Sequence, residues 1–305
     1  MKELPFIDWI RSQSDFDPAV VPTGPGDDMA VVVCGETTVL LTVDQVLDGT
    51  HVVLADCGPG RAGRKAMARS LSDVAAMAAV PVAAVAGVAL PAGLAQKDAE
   101  AIYRGLRSAG DPFDCPLVGG DVASWDGPLT IDVTVLARCG RGREPVLRSG
   151  AQPGDAICVT GRFGGAWRTG RDLRFTPRIA EALALAQRCD LHAMIDVSDG
   201  LAMDLHRLCE ASELGALIEA DHVPVHDDAV ALHGGDPLAA ALGDGEDYEL
   251  LFTLPGEQAD AILARPIFDT PIARIGRVQA DRTVQIVRHD GRRDDLPADG
   301  WEHET

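Results

Sequence analysis

The sequence predicts an α+β protein of two domains: an N-terminal domain that mixes sheet and helix over 1–140, and a C-terminal α/β sandwich over 141–305. Three observations predict it. The 305 residues are enough to bury two cores of ordinary size. Short β-branched apolar runs are interleaved with stretches of helical periodicity along the whole chain. A segment rich in Gly, Arg and Pro, 139–155, reads as a linker between the halves.

The elements follow in order. Residues 29–34 and 38–43 are apolar runs on either side of a Gly-Glu-Thr turn and read as an antiparallel pair. A helix is expected over 61–79, where Met67, Leu71, Val74 and Ala78 fall on one face, with Pro81 as its stop. A strand at 82–90, a helix at 96–109 and strands at 115–118 and 129–138 complete the first domain. In the second, 156–160 is a strand and 177–189 a helix. The strand 194–197 leads through Ser198-Asp199-Gly200 into a helix at 201–212, and 216–220, 249–254 and 283–287 add strands. The tail from 289 is polar and acidic.

Composition narrows the function. A net charge of −20 with no basic stripe argues against nucleic acid or an anionic membrane as partner. The longest apolar run, Val74 to Leu90, is broken by Pro81, and the first residues lack a secretory pattern, so neither a membrane span nor a signal peptide is expected. Seven cysteines without a Cys-x-x-Cys pair read as reduced core residues of a cytoplasmic protein. Such an acidic chain repels a phosphorylated metabolite unless divalent cations stand between them, and Mg²⁺ prefers carboxylate oxygen.

The carboxylates fall in a pattern. Asp28 follows Asp27 in a Gly-Pro-Gly turn, and Asp44 closes Leu41-Thr42-Val43. Asp121 follows Leu117-Val118-Gly119-Gly120, Asp196 and Asp199 flank a strand-to-helix turn, and Asp73 lies within an Ala-rich helix. Any one of them is ordinarily a turn-former or cap, a reading that stays strong for Asp199. Together they repel one another unless cations are bound. No Gly-Lys dipeptide exists, so there is no Walker-type loop, and Gly58 to Lys65 is a near miss. Protein-kinase and dinucleotide fingerprints are absent. His222 and His226 have zinc-like spacing, but Pro224 between them breaks the helix a zinc pair needs. His51, on a Gly-containing loop, reads as a solvated residue or a ligand.

Seven motifs in order carry a resemblance. They are Gly26-Asp27-Asp28; Leu41-Thr42-Val43-Asp44 with His51; Leu71-Ser72-Asp73; Gly119-Gly120-Asp121; Ile195-Asp196-Val197-Ser198-Asp199-Gly200-Leu201; Gly245-Glu246-Asp247-Tyr248-Glu249-Leu250-Leu251-Phe252; and Gly300-Trp301. The chain resembles the thiamine-monophosphate kinases, in the superfamily of aminoimidazole ribonucleotide synthetase and selenophosphate synthetase. The resemblance implies a homodimer whose N-terminal sheets close into a barrel, and ATP-dependent, Mg²⁺-assisted in-line phosphorylation of thiamine monophosphate. It implies metal ligands at Asp28, Thr42, Asp44, Asp73, Asp121 and Asp196, with a further ion at Asp199. Tyr103, Gly120, Asp121, Arg148 and Ser198 match ATP-contacting positions, and His51, Glu246 and Trp301 match substrate positions. Asp27 is expected to be structural, and Trp301 either stacks on the substrate or anchors the C-terminus.

Three departures stand out. Val43 replaces a Thr, Asp244 replaces a Gly before Gly245-Glu246, and the glycine-rich segment 161–178 is shorter than the family's usual helical stretch. The rival expectations are an ATP-dependent enzyme of the same fold with another small acceptor, and a non-catalytic nucleotide- or metal-binding homologue.

Overall fold

Two sheets, with one long helix between them, set the positions of every candidate residue. The computed structural model describes residues 3–140, 142–232 and 236–302, so Arg141 of the expected linker lies outside the described residues. In chain order the first half holds α1 (Glu3–Gln13), β1 (Ala30–Cys34), β2 (Thr37–Leu47), α2 (Leu54–Cys57), α3 (Pro59–Ala76), β3 (Val80–Pro91), α4 (Gln96–Gly110), β4 (Leu117–Trp125) and β5 (Thr130–Arg138). Its five strands are ordered β1-β2-β5-β3-β4. The second half holds β6 (Ala156–Thr160), α5 (Ala166–Thr169), α6 (Ile179–Arg188), β7 (Ala193–Val197), α7 (Leu201–Ala211), β8 (Gly215–Glu219), α8 (Asp227–Leu232), α9 (Pro237–Gly243), β9 (Glu249–Leu254), α10 (Gly256–Ala264), β10 (Ile272–Gln279), β11 (Val284–Val287) and β12 (Arg293–Asp295). Its seven strands are ordered β12-β11-β8-β10-β6-β9-β7.

Side-chain alternation decides the faces of the first sheet. Leu40, Thr42 and Val46 of β2 are buried, while Leu41, Val43 and Gln45 are exposed. The buried face meets α3, whose Met67, Leu71 and Val74 are fully enclosed. One apolar core runs from there into the second sheet, joining Met67 and Leu71 to Met194 and Phe252. The opposite face is bare at Leu41, Val43 and Val85.

Helices α3 and α4 touch through glycine. A Cβ on Gly63 would lie 2.2 Å from the carbonyl oxygen of Ile102, and one on Gly105 would lie 2.0 Å from that of Gly60. Only hydrogen at those positions lets the two backbones approach so closely.

Several expectations are corrected. The helix expected to 79 ends at Ala76, because Ala78 adopts a left-handed φ of 49° and turns the chain. Pro81 is not its stop but lies within β3, opposite Ala137, where a register shift before Ala83 accommodates the missing N–H. The strand expected at 115–118 runs instead from Leu117 to Trp125, which puts Asp121 mid-strand. Asp44 likewise lies within β2, three residues before its end. No helix among the described residues is long and apolar enough to cross a membrane.

Candidate active site

Three carboxylates converge where the two halves meet. Asp28 arrives from the turn before β1, Asp73 from α3 and Asp196 from β7. One oxygen of each lies within 4.8 Å of the others. Each is held on one side by the protein. Arg148 Nη2 donates to Asp28 Oδ1 at 2.6 Å, Ser72 Oγ donates to Asp196 Oδ2 at 2.6 Å, and the Thr42 hydroxyl donates to Asp73 Oδ2. Asp28 Oδ2 is buried and no described residue donates to it. A buried carboxylate oxygen without a donor, beside two more carboxylates, fits a hard divalent cation, which takes oxygen ligands and supplies the missing positive charge.

The electrostatics agree. Burial pushes the Asp73 carboxyl well above the usual range, and Asp44, Asp196 and Asp28 push it further. Asp196 is raised in the same way, by burial and then by Asp28. Asp44 is raised by burial against the pull of Arg69, whose Nη2 lies 3.6 Å away. Asp27 is pushed up to about 6, chiefly by burial and then by Asp28. Its carboxylate accepts from the Arg148 backbone N–H at 3.2 Å and from the Asp28 N–H at 3.0 Å, so it shapes the turn that presents Asp28.

An open cleft of about 1140 Å³ runs past this cluster, lined by Asp28, Thr42, Asp44, Arg69, Asp73, Arg148, Asp196, Ser198 and Asp199, among others. The cap reading of Asp199 is overturned. Its carboxylate pairs with Arg207 at 2.5 Å, and Asp204 instead accepts the Ser198 and Asp199 N–H groups at 3.0 Å. Burial, with Asp199 next, pushes Asp204 up to about 7.

A second charged cluster adjoins α3 one end over. Lys65, fully buried, donates to Asp172 Oδ2 at 2.7 Å and to the His51 carbonyl at 2.7 Å, and forms an ion pair with Glu246 Oε2 at 2.6 Å. Its ammonium lies 4.9 Å above the Trp167 ring. The Tyr248 hydroxyl donates to Glu246 Oε2 at 3.0 Å, and the Tyr248 ring stacks on Phe175 at 4.0 Å. His51 is buried, and its Nδ1 accepts from the Leu47 N–H at 3.1 Å, so it is not a solvated loop residue. Glu246 and Tyr248 hold left-handed φ values of 62° and 53°, kept there by backbone bonds to Ser198 and Val197.

Sequence reasoning missed Lys65, Arg69, Trp167, Asp172 and Tyr248 as members of these clusters. The shortened segment supplies Trp167, Asp172 and Phe175, and the near-miss phosphate loop is the first two turns of α3, with Lys65 inside. A signal was available: Lys65, Arg69 and Asp73 recur every four residues in a stretch otherwise dominated by alanine.

The structure does not bring all expected residues together. Tyr103, Gly120 and Asp121 lie on α4 and β4, at the edge of the first sheet. From β2 to β4 is three strand spacings, about 14 Å. Asp121 shares its row with Gly87, Asp132 and Gln45, on the bare face. Trp301 is 52% exposed, so it is no packed anchor, and its backbone N–H donates to the Asp199 carbonyl at 2.8 Å.

The sequence matches the family models of AIR synthase related protein, the N-terminal domain over 26–139 and the C-terminal domain over 152–289. The thiamine-monophosphate kinase of Rhodopirellula baltica is 39% identical over 287 residues, 90% of this chain and 89% of that protein. The chain belongs to the thiamine-monophosphate kinase family. It is an enzyme of the kinase class, as the family's other members are named. The solved structure of AaThiL complexed with AMPPCP and TMP, at 27% identity, matches with a TM-score of 0.84 over 99% of this chain and 97% of that one. Thiamine-monophosphate kinase from Stenotrophomonas maltophilia K279a matches at 32% identity and a TM-score of 0.75, over 95% and 96%. The two-part α+β fold is thus that of the thiamine-monophosphate kinases.

Proposed function

We propose that the chain transfers the γ-phosphoryl group of ATP to the phosphate of thiamine monophosphate, giving thiamine diphosphate and ADP. The observation that carries this reading is the Asp28–Asp73–Asp196 cluster, open to the cleft and about two helix turns from the Lys65–Glu246 cluster. An acceptor phosphate oxygen forms the new bond to the γ-phosphorus while the bond to the β–γ bridging oxygen breaks, in line. The attacking oxygen is already anionic, so no side chain is needed as general base. Asp28, Thr42, Asp44, Asp73 and Asp196, with Asp121 and Asp199, would hold Mg²⁺, which when bound neutralises the charge of the meeting polyphosphates. Arg148 and Ser198, which line the cleft, would face the nucleotide, and His51, Glu246 and Trp301 would face the acceptor. Positioning and charge compensation are the protein's whole contribution.

The proposal includes a cytoplasmic homodimer, in which the bare sheet faces of two N-terminal domains, 1–140, close on each other and the domains 141–305 flank them. Tyr103, Gly120 and Asp121, remote from the cluster of their own chain, then serve the partner's site. Mixing Asp44→Asn with Asp121→Asn subunits tests this: random reassortment restores about a quarter of wild-type activity if sites are shared, and none if each subunit is self-contained.

The activity itself is tested by incubation with thiamine monophosphate, ATP and Mg²⁺, with thiamine diphosphate read as its thiochrome. Product from the wild type and none from Asp44→Asn supports the reading. No product from a protein that Mg²⁺–ATP still stabilises against heat overturns the acceptor and leaves the nucleotide site.

A further inference from the structure

Lys65, Arg69 and Asp73 lie at four-residue steps along α3, so they share one stripe of the helix. Successive members are about 6 Å apart along the axis. Lys65 ends the stripe among Glu246 and Asp172, and Asp73 ends it in the carboxylate cluster. Arg69 stands halfway, on the wall of the cleft. Its Nη2 is at ion-pair distance from Asp44, 3.6 Å, too long for a hydrogen bond. Its Nε and Nη1 are buried, and no described residue accepts from either.

Such donors are costly to leave unmet. The neighbouring cations already hold close carboxylates: Lys65 has two, and Arg148 has Asp28 at 2.6 Å with only its Nε left without an acceptor among the described residues. A guanidinium with unmet donors can pair Nη2 with either Nε or Nη1 against two oxygens of one phosphate, a match that a point charge does not offer.

We propose that Arg69 binds the acceptor's phosphate monoester, holding the attacking oxygen between the carboxylate cluster and the Lys65–Glu246 cluster. The inference rests on the phosphoryl-transfer reading above and adds to it a residue and the ligand group it takes. The nucleotide phosphates meet the carboxylate end of the stripe, whereas the acceptor's own phosphate has Arg69 as its cation.

The test is calorimetric titration of the Mg²⁺–AMPPCP-loaded protein with thiamine monophosphate and, separately, with thiamine. In Arg69→Gln, affinity for the monophosphate falls about tenfold to a hundredfold, the loss expected for charged hydrogen bonds. Affinities for thiamine and for Mg²⁺–AMPPCP stay near wild type, which also shows that the variant is folded. Arg69→Lys, with the charge and without the fork, falls in between. Monophosphate binding retained in Arg69→Gln overturns the assignment, as does loss of Mg²⁺–AMPPCP affinity with monophosphate binding unchanged. A wild type that binds Mg²⁺–AMPPCP and no thiamine monophosphate overturns the acceptor reading, and with it the ligand named for Arg69.

Discussion

The two charged clusters on α3 bury similar carboxylates and treat them in opposite ways. Around Lys65 the chain supplies its own cation, with Asp172 and Glu246 closing on a fully buried ammonium over the Trp167 ring. Around Asp73 the chain brings Asp28 and Asp196 within 4.8 Å and leaves one oxygen of Asp28 without a donor. The first cluster has a cation of its own once the chain folds, although Asp172 Oδ1 is also buried without a donor among the described residues; the second gathers like charges whose repulsion a proton or a cation from solution relieves. Under the proposed function, the cluster read as facing the substrate brings its own cation, and the cluster read as holding metal is left short of positive charge.

The sharpest way to break this contrast is Asp73→Asn. It removes one charge from the deficient cluster and should lower kcat by about a thousandfold, the scale for losing a transition-state electrostatic partner. Folding without metal should not suffer, and thermal stabilisation by Mg²⁺–ATP should vanish. Lys65→Met is the converse experiment. It leaves the buried Asp172 and the partly buried Glu246 without their cation and should cost about 3–5 kcal/mol of stability in urea unfolding. Asp172→Asn in the same chain should recover part of that, and Mg²⁺ should recover none if the two clusters differ as described.

A pH series sharpens the comparison further. Asp73 and Asp196 are raised in the folded chain, so from about pH 4, where unfolded carboxyls ionise, the folded state binds more protons than the unfolded state. Stability contributed by these groups therefore falls as pH rises towards their folded values. Asp204, at about 7, extends the window to neutrality. In chelator, the melting temperature of Asp73→Asn relative to wild type should climb between pH 4 and 7, and Mg²⁺ should flatten the climb. A difference that shrinks with pH would mean the cluster is not repulsive. The smallest effect is expected at Trp301→Ala, a residue half exposed: an increase in the KM for thiamine monophosphate of about threefold to fivefold, as for an exposed cation–π contact, with melting unchanged.

Much of this was legible in the sequence. The β1–β2 pair, α4, β5, β6, β7 and β9 follow from apolar periodicity and turn residues, and Asp28, Asp73 and Asp196 from their places at the ends of apolar runs and inside an alanine helix. Periodicity does not reveal short elements such as α8, α9 and β12, which owe their form to neighbours. Nor does local pattern say that Asp121 points to the bare face, since that depends on which strand lies beside which. Asp172 and Trp167 were hidden for a related reason: nothing near them in sequence marks them as partners of Lys65, more than a hundred residues earlier.

The glycine seam between α3 and α4 has a further consequence. At Gly60, Gly63 and Gly105 the contact is backbone against backbone, so at those points no rotamer change lets the helix slide or roll. The stripe of Lys65, Arg69 and Asp73 is therefore a gauge of fixed length. With Arg69 holding the acceptor's phosphate as proposed, such a gauge selects by span: an analogue with its phosphate one bond nearer to or farther from the ring system is expected to dock and to present its oxygen out of reach of the phosphorus.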